Sequence, residues 1–126
     1  MKKLAFVLVA LLTLAFTGCK VETSKVLVSV EDRVGDPIAD RYVFYVDWAT
    51  YILDGLLPAD PLSDISDVWE VAQTDKTGTV TLSIPLGVSK MKYEFAVFDN
   101  GTGKWVEKTV ELHRGVNEVI EFVVNK

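Results

Sequence analysis

Cysteine and histidine are almost absent from this sequence of 126 residues, in which Cys19 and His113 are the only examples. One cysteine cannot form a disulfide within the chain, and one histidine excludes zinc sites that need two imidazoles. A Ser-His-Asp site would have to use His113, but no G-x-S-x-G sequence is present to display a serine nucleophile. We therefore predict a protein with no catalytic residues, no metal site and no cofactor.

Basic residues are also absent over a long stretch. No lysine or arginine occurs from Tyr42 through Asp75, although the chain has 13 of them in all. The formal net charge is −5, and without Lys2 and Lys3 it is −7. A nucleic-acid-binding protein would need a basic stripe, so nucleic acid is excluded as a partner. The stretch instead concentrates the acidic residues Asp47, Asp54, Asp60, Asp64, Asp67, Glu70 and Asp75.

Three interpretations of the acidic segment 47–70 remain open. It could be a solvated insertion that packs its leucines and isoleucine onto the domain, or an interaction surface in which aromatic rings lie beside the charge. It could also bind calcium through its oxygens, although its acids lack the D-x-D-x-D-G spacing. The apolar residues expected to pack are Ile52, Leu53, Leu56 and Leu57.

Long apolar runs are limited to the N-terminus, where Leu4–Phe16 contains no charge and follows two lysines. A helix of that length spans about 20 Å, short of the roughly 30 Å hydrocarbon core, so the run is typical of a secretory signal peptide. Thr17-Gly18-Cys19 completes a segment that resembles a bacterial lipobox. That resemblance implies cleavage before Cys19 and acylation of its thiol. We expect residues 1–18 to be a lipoprotein signal peptide and residues 19–24 a lipidated tether.

Lipidation of Cys19 would anchor the protein firmly, because several acyl chains bind a bilayer far more tightly than one. In the lipoproteins that this sequence resembles, aspartate after the cysteine favours retention in the inner membrane. Lys20 stands at that position here. We therefore expect a bacterial envelope protein anchored to the outer membrane, on either its periplasmic or its surface face.

Residues 25–126 alternate between apolar and polar side chains with the period of β-strands. Val26, Val28 and Val30 share one face, and Asn100-Gly101 is typical of a hairpin turn. The pattern predicts an all-β domain with no helix, a seven-stranded antiparallel β-sandwich of the prealbumin-like or immunoglobulin-like kind. The predicted strands are 25–31, 41–47, 67–73, 78–84, 91–99, 104–112 and 116–124.

Three stretches, "VSVEDRVGDPI", "QTDKTGTVTLSIPLG" and "YEFAVFD", resemble the carboxypeptidase-regulatory-like domain of the transthyretin (prealbumin-like) class. The resemblance implies a β-sandwich and says almost nothing about a ligand, because the matching residues belong to turns. Those residues are Gly35, Pro37 and Ile38 in the first turn, Asp75, Gly78 and Thr79 in the second, and Ile84, Pro85, Gly87 and Tyr93 in the third.

The candidate ligand- or partner-binding residues are the aromatic side chains Trp48, Tyr51, Trp69 and Trp105. Trp105 alternates with Val106, so we expect it to lie on the face away from the core and to be exposed. The sequence predicts a non-enzymatic binding or scaffolding module with a protein partner in an envelope assembly. Two alternatives stay open: an accessory lipoprotein that captures carbohydrate for a glycan-uptake system, and a fimbrial or adhesive subunit that uses strand addition.

Overall fold

The computed structural model describes residues 22–55, 57–58 and 65–126, so Cys19, the predicted signal peptide and Leu56 lie outside the described residues. One short helix, α1, follows the second strand of the described chain. The elements are β1 (Glu22–Glu31), β2 (Tyr42–Asp47), α1 (Trp48–Asp54), β3 (Glu70–Gln73), β4 (Thr79–Leu86), β5 (Lys90–Asp99), β6 (Lys104–His113) and β7 (Glu118–Val123).

The strands form two sheets that pack face to face. One sheet has the order β4-β1-β7 and the other has the order β3-β2-β5-β6. The prediction of an all-β sandwich is confirmed, and the main core lies between the two sheets. Its buried side chains are Val26, Val28, Val30, Ile38, Val43, Leu82, Ile84, Leu86, Phe95, Val97, Leu112, Ile120, Phe122 and Val124.

The period-two pattern explains which side chains enter this core. Val26, Val28 and Val30 alternate with exposed or half-exposed polar and apolar residues along β1, and all three are fully buried as predicted. Burial of such a side chain contributes about 1.5–3 kcal/mol. Because each strand presents alternate residues to the same face, the pattern fixes the inner faces of both sheets.

One part of the topology prediction is wrong, because the three-stranded sheet is mixed. β1 pairs with β4 in antiparallel orientation but with β7 in parallel orientation, with Val28 opposite Ile120. After β6 the chain crosses from one sheet to the other, and β7 therefore lies beside β1 in the same direction. A pattern of alternating side chains carries no information on strand direction, so the sequence could not reveal this pairing.

The prediction of no helix is also wrong. Asp47 caps the N-terminus of α1, where its carboxylate accepts hydrogen bonds from the Thr50 amide at 3.1 Å and the Thr50 hydroxyl at 2.8 Å. At the other end the Gly55 amide donates to the Tyr51 carbonyl at 2.8 Å. These caps satisfy backbone groups that a helix of two turns would otherwise leave unpaired.

Two strands begin three residues away from their predicted starts, and the other strand boundaries agree within two residues. β1 begins at Glu22, within the segment assigned to the tether, and β3 is limited to Glu70–Gln73. The early start of β1 follows from its pairing with β4, in which Glu22 lies opposite Leu86. The first strand therefore begins three residues after Cys19.

β6 and β7 are edge strands of the two sheets. Lys108 points inward from β6, and its ammonium group donates a hydrogen bond to the Glu121 carbonyl in β7 and lies 5.5 Å from the Phe122 ring centroid. Edge strands carry unpaired backbone groups that can recruit another strand. An inward-pointing lysine that bridges the two edges opposes such strand addition.

Candidate functional site

The outer face of the four-stranded sheet carries a second apolar cluster. Strand alternation places Val46 of β2 and Ala96 of β5 on the side away from the main core, and both are buried there. They are covered by helix α1 and by the described residues that follow it. Parts of the segment 47–70 thus form a third layer on the sandwich. The side chains that pack around the cluster are Phe44, Tyr51, Leu57, Ile65, Val68, Trp69 and Trp105.

Three of the four predicted aromatic site residues form a row in this layer. Tyr51 stacks on Trp48 with ring centroids 5.3 Å apart and meets the edge of Trp69 at 5.8 Å. The Trp69 ring is only 7% exposed, and its indole N–H donates to the Gly55 carbonyl at 3.3 Å. Because Trp69 is buried, its ring joins the insertion to the sheet and leaves no open face for a ligand.

Trp105 lies on the outer face, as its alternation with Val106 predicts, but it is half-buried instead of exposed. Its indole N–H donates to the Pro58 carbonyl at 2.6 Å. Its ring makes edge contacts with Phe44 at 5.4 Å and with Phe98 at 5.3 Å. The insertion covers Trp105, so this side chain is not the exposed tryptophan that the sequence predicted.

The packing interpretation of the insertion holds for one leucine and fails for two other apolar residues. Leu57 packs against the second cluster, whereas Ile52 and Leu53 of α1 are exposed. The helix turns Tyr51 toward the sheet, and the helical period therefore turns Ile52 and Leu53 toward solvent. Aromatic side chains, more than aliphatic ones, hold this segment in place.

A pair of carboxyl groups lies beneath Tyr51 on the same face. Glu94 of β5 is 4% exposed and accepts a hydrogen bond from the Thr109 hydroxyl at 2.5 Å. The Tyr51 hydroxyl donates to Glu107 of β6 at 2.9 Å. Burial, together with the hydrogen bond and negative charge of Glu107, raises the pKa of Glu94 to about 7, against the opposing effect of the Thr109 hydroxyl. Glu94 is therefore partly protonated near neutral pH.

This carboxyl pair does not have the spacing of a glycoside hydrolase, in which the two acids stand at least about 5 Å apart around the sugar. Hydrogen-bonded carboxyl groups leave no room for a sugar between them. The same contacts act on the tyrosine: burial, followed by the hydrogen bond and charge of Glu107, raises the pKa of Tyr51 to about 12. Through the hydrogen bond between Glu107 and Tyr51, the pair helps to hold helix α1 against the sheet.

We expect Glu94→Gln to flatten the dependence of stability on pH. The folded-state pKa of Glu94 lies above its ordinary value of 4.5, so the folded protein holds a proton that the unfolded chain releases. Stability from this group is present at low pH and is lost as pH rises through 7, by on the order of 2 kcal/mol. Urea unfolding at pH 5 and pH 8 would show a smaller difference for the variant.

Glu121→Gln is the control, because Glu121 is an exposed acid on β7 of the other sheet. This variant should keep the pH dependence of the parent protein. An unchanged pH dependence in Glu94→Gln would show that the pKa of Glu94 is not raised in the folded protein.

An open groove of about 420 Å³ lies beside the covered part of the outer face. Phe44 and Phe98 form its half-buried floor, while Tyr42 and Val71 are 51% and 53% exposed along its side. Asp40, Arg41 and Asn100 supply polar groups at the rim. Apolar walls with a few polar groups at this volume are typical of sites that bind small molecules or inserted side chains.

The rim of the groove is held by backbone contacts. Asp40 has a φ of 57°, in the left-handed region that non-glycine residues rarely adopt. Its amide donates to the Thr74 carbonyl at 2.9 Å, and the Gln73 side chain donates to its carbonyl at 3.2 Å. Backbone strain of this kind is found preferentially at functional sites. The strained residue adjoins the open groove.

The Arg41 guanidinium fixes the other side of the rim. It donates to the Phe98 carbonyl at 2.8 Å, and burial lowers the pKa of Arg41 while the charge of Asp99 raises it. For Asp99, burial acts to raise the pKa. Hydrogen bonds from Asn125 and Gly101 outweigh this effect of burial, so the pKa of Asp99 lies below its usual value. The groove therefore has a rigid polar frame.

The sequence did not predict this groove or the glutamate pair. A signal for the groove was present, because Tyr42 and Phe44 alternate with the inward-facing Val43 and so must share the outer face of β2. Phe98 and Glu94 share that face on β5, but they meet β2 and β6 only through the register of the sheet. That register places Phe44 opposite Ala96 and Glu94 opposite Thr109.

No protein-family model matches this chain, and no curated protein matches it either. Within residues 22–55, 57–58 and 65–126, acidic, histidine and cysteine side chains form no group of three that could hold a metal ion. The calcium interpretation also involves Asp60 and Asp64, which lie outside the described residues. In the described part of the chain, no helix has the length and apolar character needed to cross a membrane.

Proposed function

We propose that this chain is a non-enzymatic lipoprotein of the bacterial cell envelope, held at the outer membrane by acyl chains on Cys19. Its sandwich would act as a binding module of the carboxypeptidase-regulatory-like kind, for a protein partner in an envelope assembly. The open groove with an aromatic floor and a fixed polar rim is the observation that carries the proposal. The lipobox-like sequence supports the anchor.

The position of the groove suits an anchored protein. β1 begins beside the anchor and runs to the end of the sandwich where Val30 pairs with Ile38 and Gly78. Asp40 and Arg41 follow Ile38 and lead into the groove. Because β1 is ten residues long, the groove lies about 30 Å from Glu22. A partner could therefore reach it without approaching the bilayer.

The shape of the groove favours side chains inserted by a protein. Its floor is apolar, and its polar groups stand at the rim, an arrangement found at the centres of protein interfaces. Tyr42 offers a large, rigid contact surface with few rotatable bonds. We expect Tyr42 to dominate the binding energy.

Site-specific photocrosslinking in native envelopes tests the proposal. A photoreactive phenylalanine at Val71, on the side of the groove, should give a discrete protein adduct, whereas the same group at Val119 should not. Val119 is 66% exposed on the outer face of the other sheet and is the matched control. Adding Tyr42→Ala should reduce the adduct about tenfold, as expected from losing a central aromatic contact.

The absence of an adduct at Val71, or the same adducts at both positions, would contradict a binding role for the groove. A Tyr42→Ala variant that gives the full adduct would show that the tyrosine contributes no binding energy. Each variant should first be shown to unfold at the urea concentration of the parent protein.

The anchor has its own test in Cys19→Ser. We expect this variant to lose its fatty acids and to leave the membrane fraction, because the acyl chains provide the membrane affinity. Mass spectrometry of the native protein should find diacylglycerol on the sulfur of Cys19. An unmodified thiol, or a variant that still sediments with membranes, would contradict lipidation.

A second candidate function is the capture of a glycan in the same groove. The exposed Tyr42 ring could stack on a sugar, with Asp40 and Asn100 at the rim to bind its hydroxyl groups. Titration of tyrosine and tryptophan fluorescence with a panel of soluble glycans separates the two candidates. A saturable change that disappears in Tyr42→Ala favours the glycan, and an unchanged spectrum favours the protein partner.

A further inference from the structure

Two turns of the sandwich lie beside the start of β1, and together they form what we term the proximal end: the turn at residues 87–89 and the turn at residues 114–117. The Ser24 hydroxyl donates to the Val116 carbonyl at 2.8 Å, which ties the second turn to β1. The Arg114 amide donates to the Ser89 carbonyl at 2.9 Å, which joins the two turns. The proximal end is thus one hydrogen-bonded unit around the first strand.

The tips of these turns expose apolar side chains. Val88 is 50% exposed and Val116 is 45% exposed, one on each turn. Lys90 and Arg114 are exposed beside them, and neither turn contains an acidic residue. Two acids, Glu22 and Glu118, flank the turns. Exposed valines beside cations are suited to the interface of a bilayer, which combines apolar chains with lipid phosphates.

The turns at the other end of the sandwich have the opposite charge. Those between β1 and β2 contain three aspartates and two arginines, and the turn between β3 and β4 contains one aspartate and one lysine, so their formal net charge is −1. The charged residues concerned are Asp32, Arg33, Asp36, Asp40, Arg41, Asp75 and Lys76. An anionic bilayer would therefore favour the proximal end, where Lys90 and Arg114 offset the flanking Glu22 and Glu118.

The length of chain before β1 sets the distance between this surface and the anchor. Two residues lie between Cys19 and Glu22, so their Cα atoms, three steps apart along the chain, can lie no more than about 10 Å from each other. An acylated Cys19 therefore holds the proximal end at the surface of the bilayer. This step depends on the lipid anchor proposed above.

We infer that the proximal end docks on an anionic bilayer, with Val88 and Val116 among the headgroups and Lys90 and Arg114 close to the lipid phosphates. The anchor and the two turns then provide three points of attachment. Three points fix the orientation of the sandwich, with β1 roughly perpendicular to the membrane plane and the groove directed away from the membrane.

Site-directed fluorescence on the full lipidated chain tests this inference. Because acylation removes the thiol of Cys19, a cysteine at Val116 would be the only group open to a bimane label. The vesicles contain equal amounts of phosphatidylcholine and phosphatidylglycerol, with a spin-labelled lipid as quencher. We expect Val116→Cys to be quenched several-fold more than Val34→Cys, which lies in the turn after β1 and is 81% exposed.

A charge variant tests the contact with phosphate. Lys90→Glu should lower the quenching at position 116 several-fold, whereas Lys76→Glu, in the exposed turn between β3 and β4, should leave it unchanged. Equal quenching in the two lysine variants would overturn the phosphate contact.

Flotation of the vesicles separates failure of the docking surface from failure of the anchor. If the protein floats with the vesicles but positions 116 and 34 are quenched equally, the docking inference is overturned and the anchor stands. If the protein does not float, the anchor fails and the docking inference fails with it.

Discussion

Trp69→Ala is expected to release the insertion from the sheet while the sandwich stays folded. Trp69 belongs to the outer cluster and makes no part of the main core, so its loss leaves a cavity between α1 and the sheet. Truncation of a buried aromatic side chain costs about 3–5 kcal/mol. The hydrogen bond from its indole N–H to the Gly55 carbonyl is lost as well.

Hydrogen exchange followed residue by residue would show this local effect. Protection of the Gly55 amide, which closes α1, should fall by orders of magnitude, whereas the Val30 and Ile38 amides should keep their protection. Leu53→Ala is the matched control, because Leu53 lies on the same helix with its side chain 79% exposed. Equal loss of protection in both regions would mean that the insertion and the sandwich unfold as one unit.

Gly78→Ala is expected to destabilise the whole sandwich by about 3 kcal/mol, since a non-glycine residue in the left-handed region and overpacking each cost on the order of 1–3 kcal/mol. Gly78 has a φ of 72°, and a Cβ there would lie 2.7 Å from both the Val30 carbonyl oxygen and the Pro37 Cβ. These neighbours belong to β1 and to the turn after it, so the chain cannot move aside without breaking the pairing at Val30.

Thermal or urea unfolding measures this loss, and Gly87→Ala provides the control. Gly87 also lies in a turn, but no atom stands within 4 Å of the position that its Cβ would take. Gly87→Ala should therefore unfold close to the parent protein. Similar losses in both variants would point to a general effect of turn glycines and not to the contact at Val30.

The Gly78 contact also explains why the turn after β1 and the turn between β3 and β4, whose residues led to the predicted family resemblance, are packed together. Val30 donates to the Gly78 carbonyl at 2.8 Å and accepts from the Ile38 amide at 2.9 Å. The Asp75 carboxylate accepts from the Thr77 amide at 2.8 Å, which shapes the second turn. The matching residues of these two turns form one structural unit at the end of β1, and none of them lines the groove.

The alternation of side chains was sufficient to predict the sandwich and the inner faces of its strands. Val26, Val28 and Val30 enter the core because a strand has only two faces and one of them is apolar. Helix α1 was not predicted, because a seven-residue helix has little intrinsic stability and depends on packing against the sheet. Its caps, Asp47 and Gly55, were visible in the sequence, but Thr50 and the aromatic residues around them favour strands.

The functional surface was harder to predict than the fold. The aromatic residues chosen from the sequence do gather on one face, yet Trp69 and Trp105 are used to hold the insertion. The groove depends on Phe44 and Phe98 meeting across β2 and β5, and strand register is a tertiary property that one sequence does not reveal. Residues that are far apart in the chain and become neighbours only through pairing are the ones that were missed.

The shared direction of β1 and β7 has a practical consequence for engineering. Glu22 and Val124 stand at opposite ends of the sandwich, separated by about the length of a ten-residue strand, roughly 30 Å. Any polypeptide joined after Lys126 would begin on the side remote from Glu22. A reporter enzyme fused there should leave both the acylated end and the turns around it unobstructed, whereas a circular permutant would need a linker that crosses the full height of the domain.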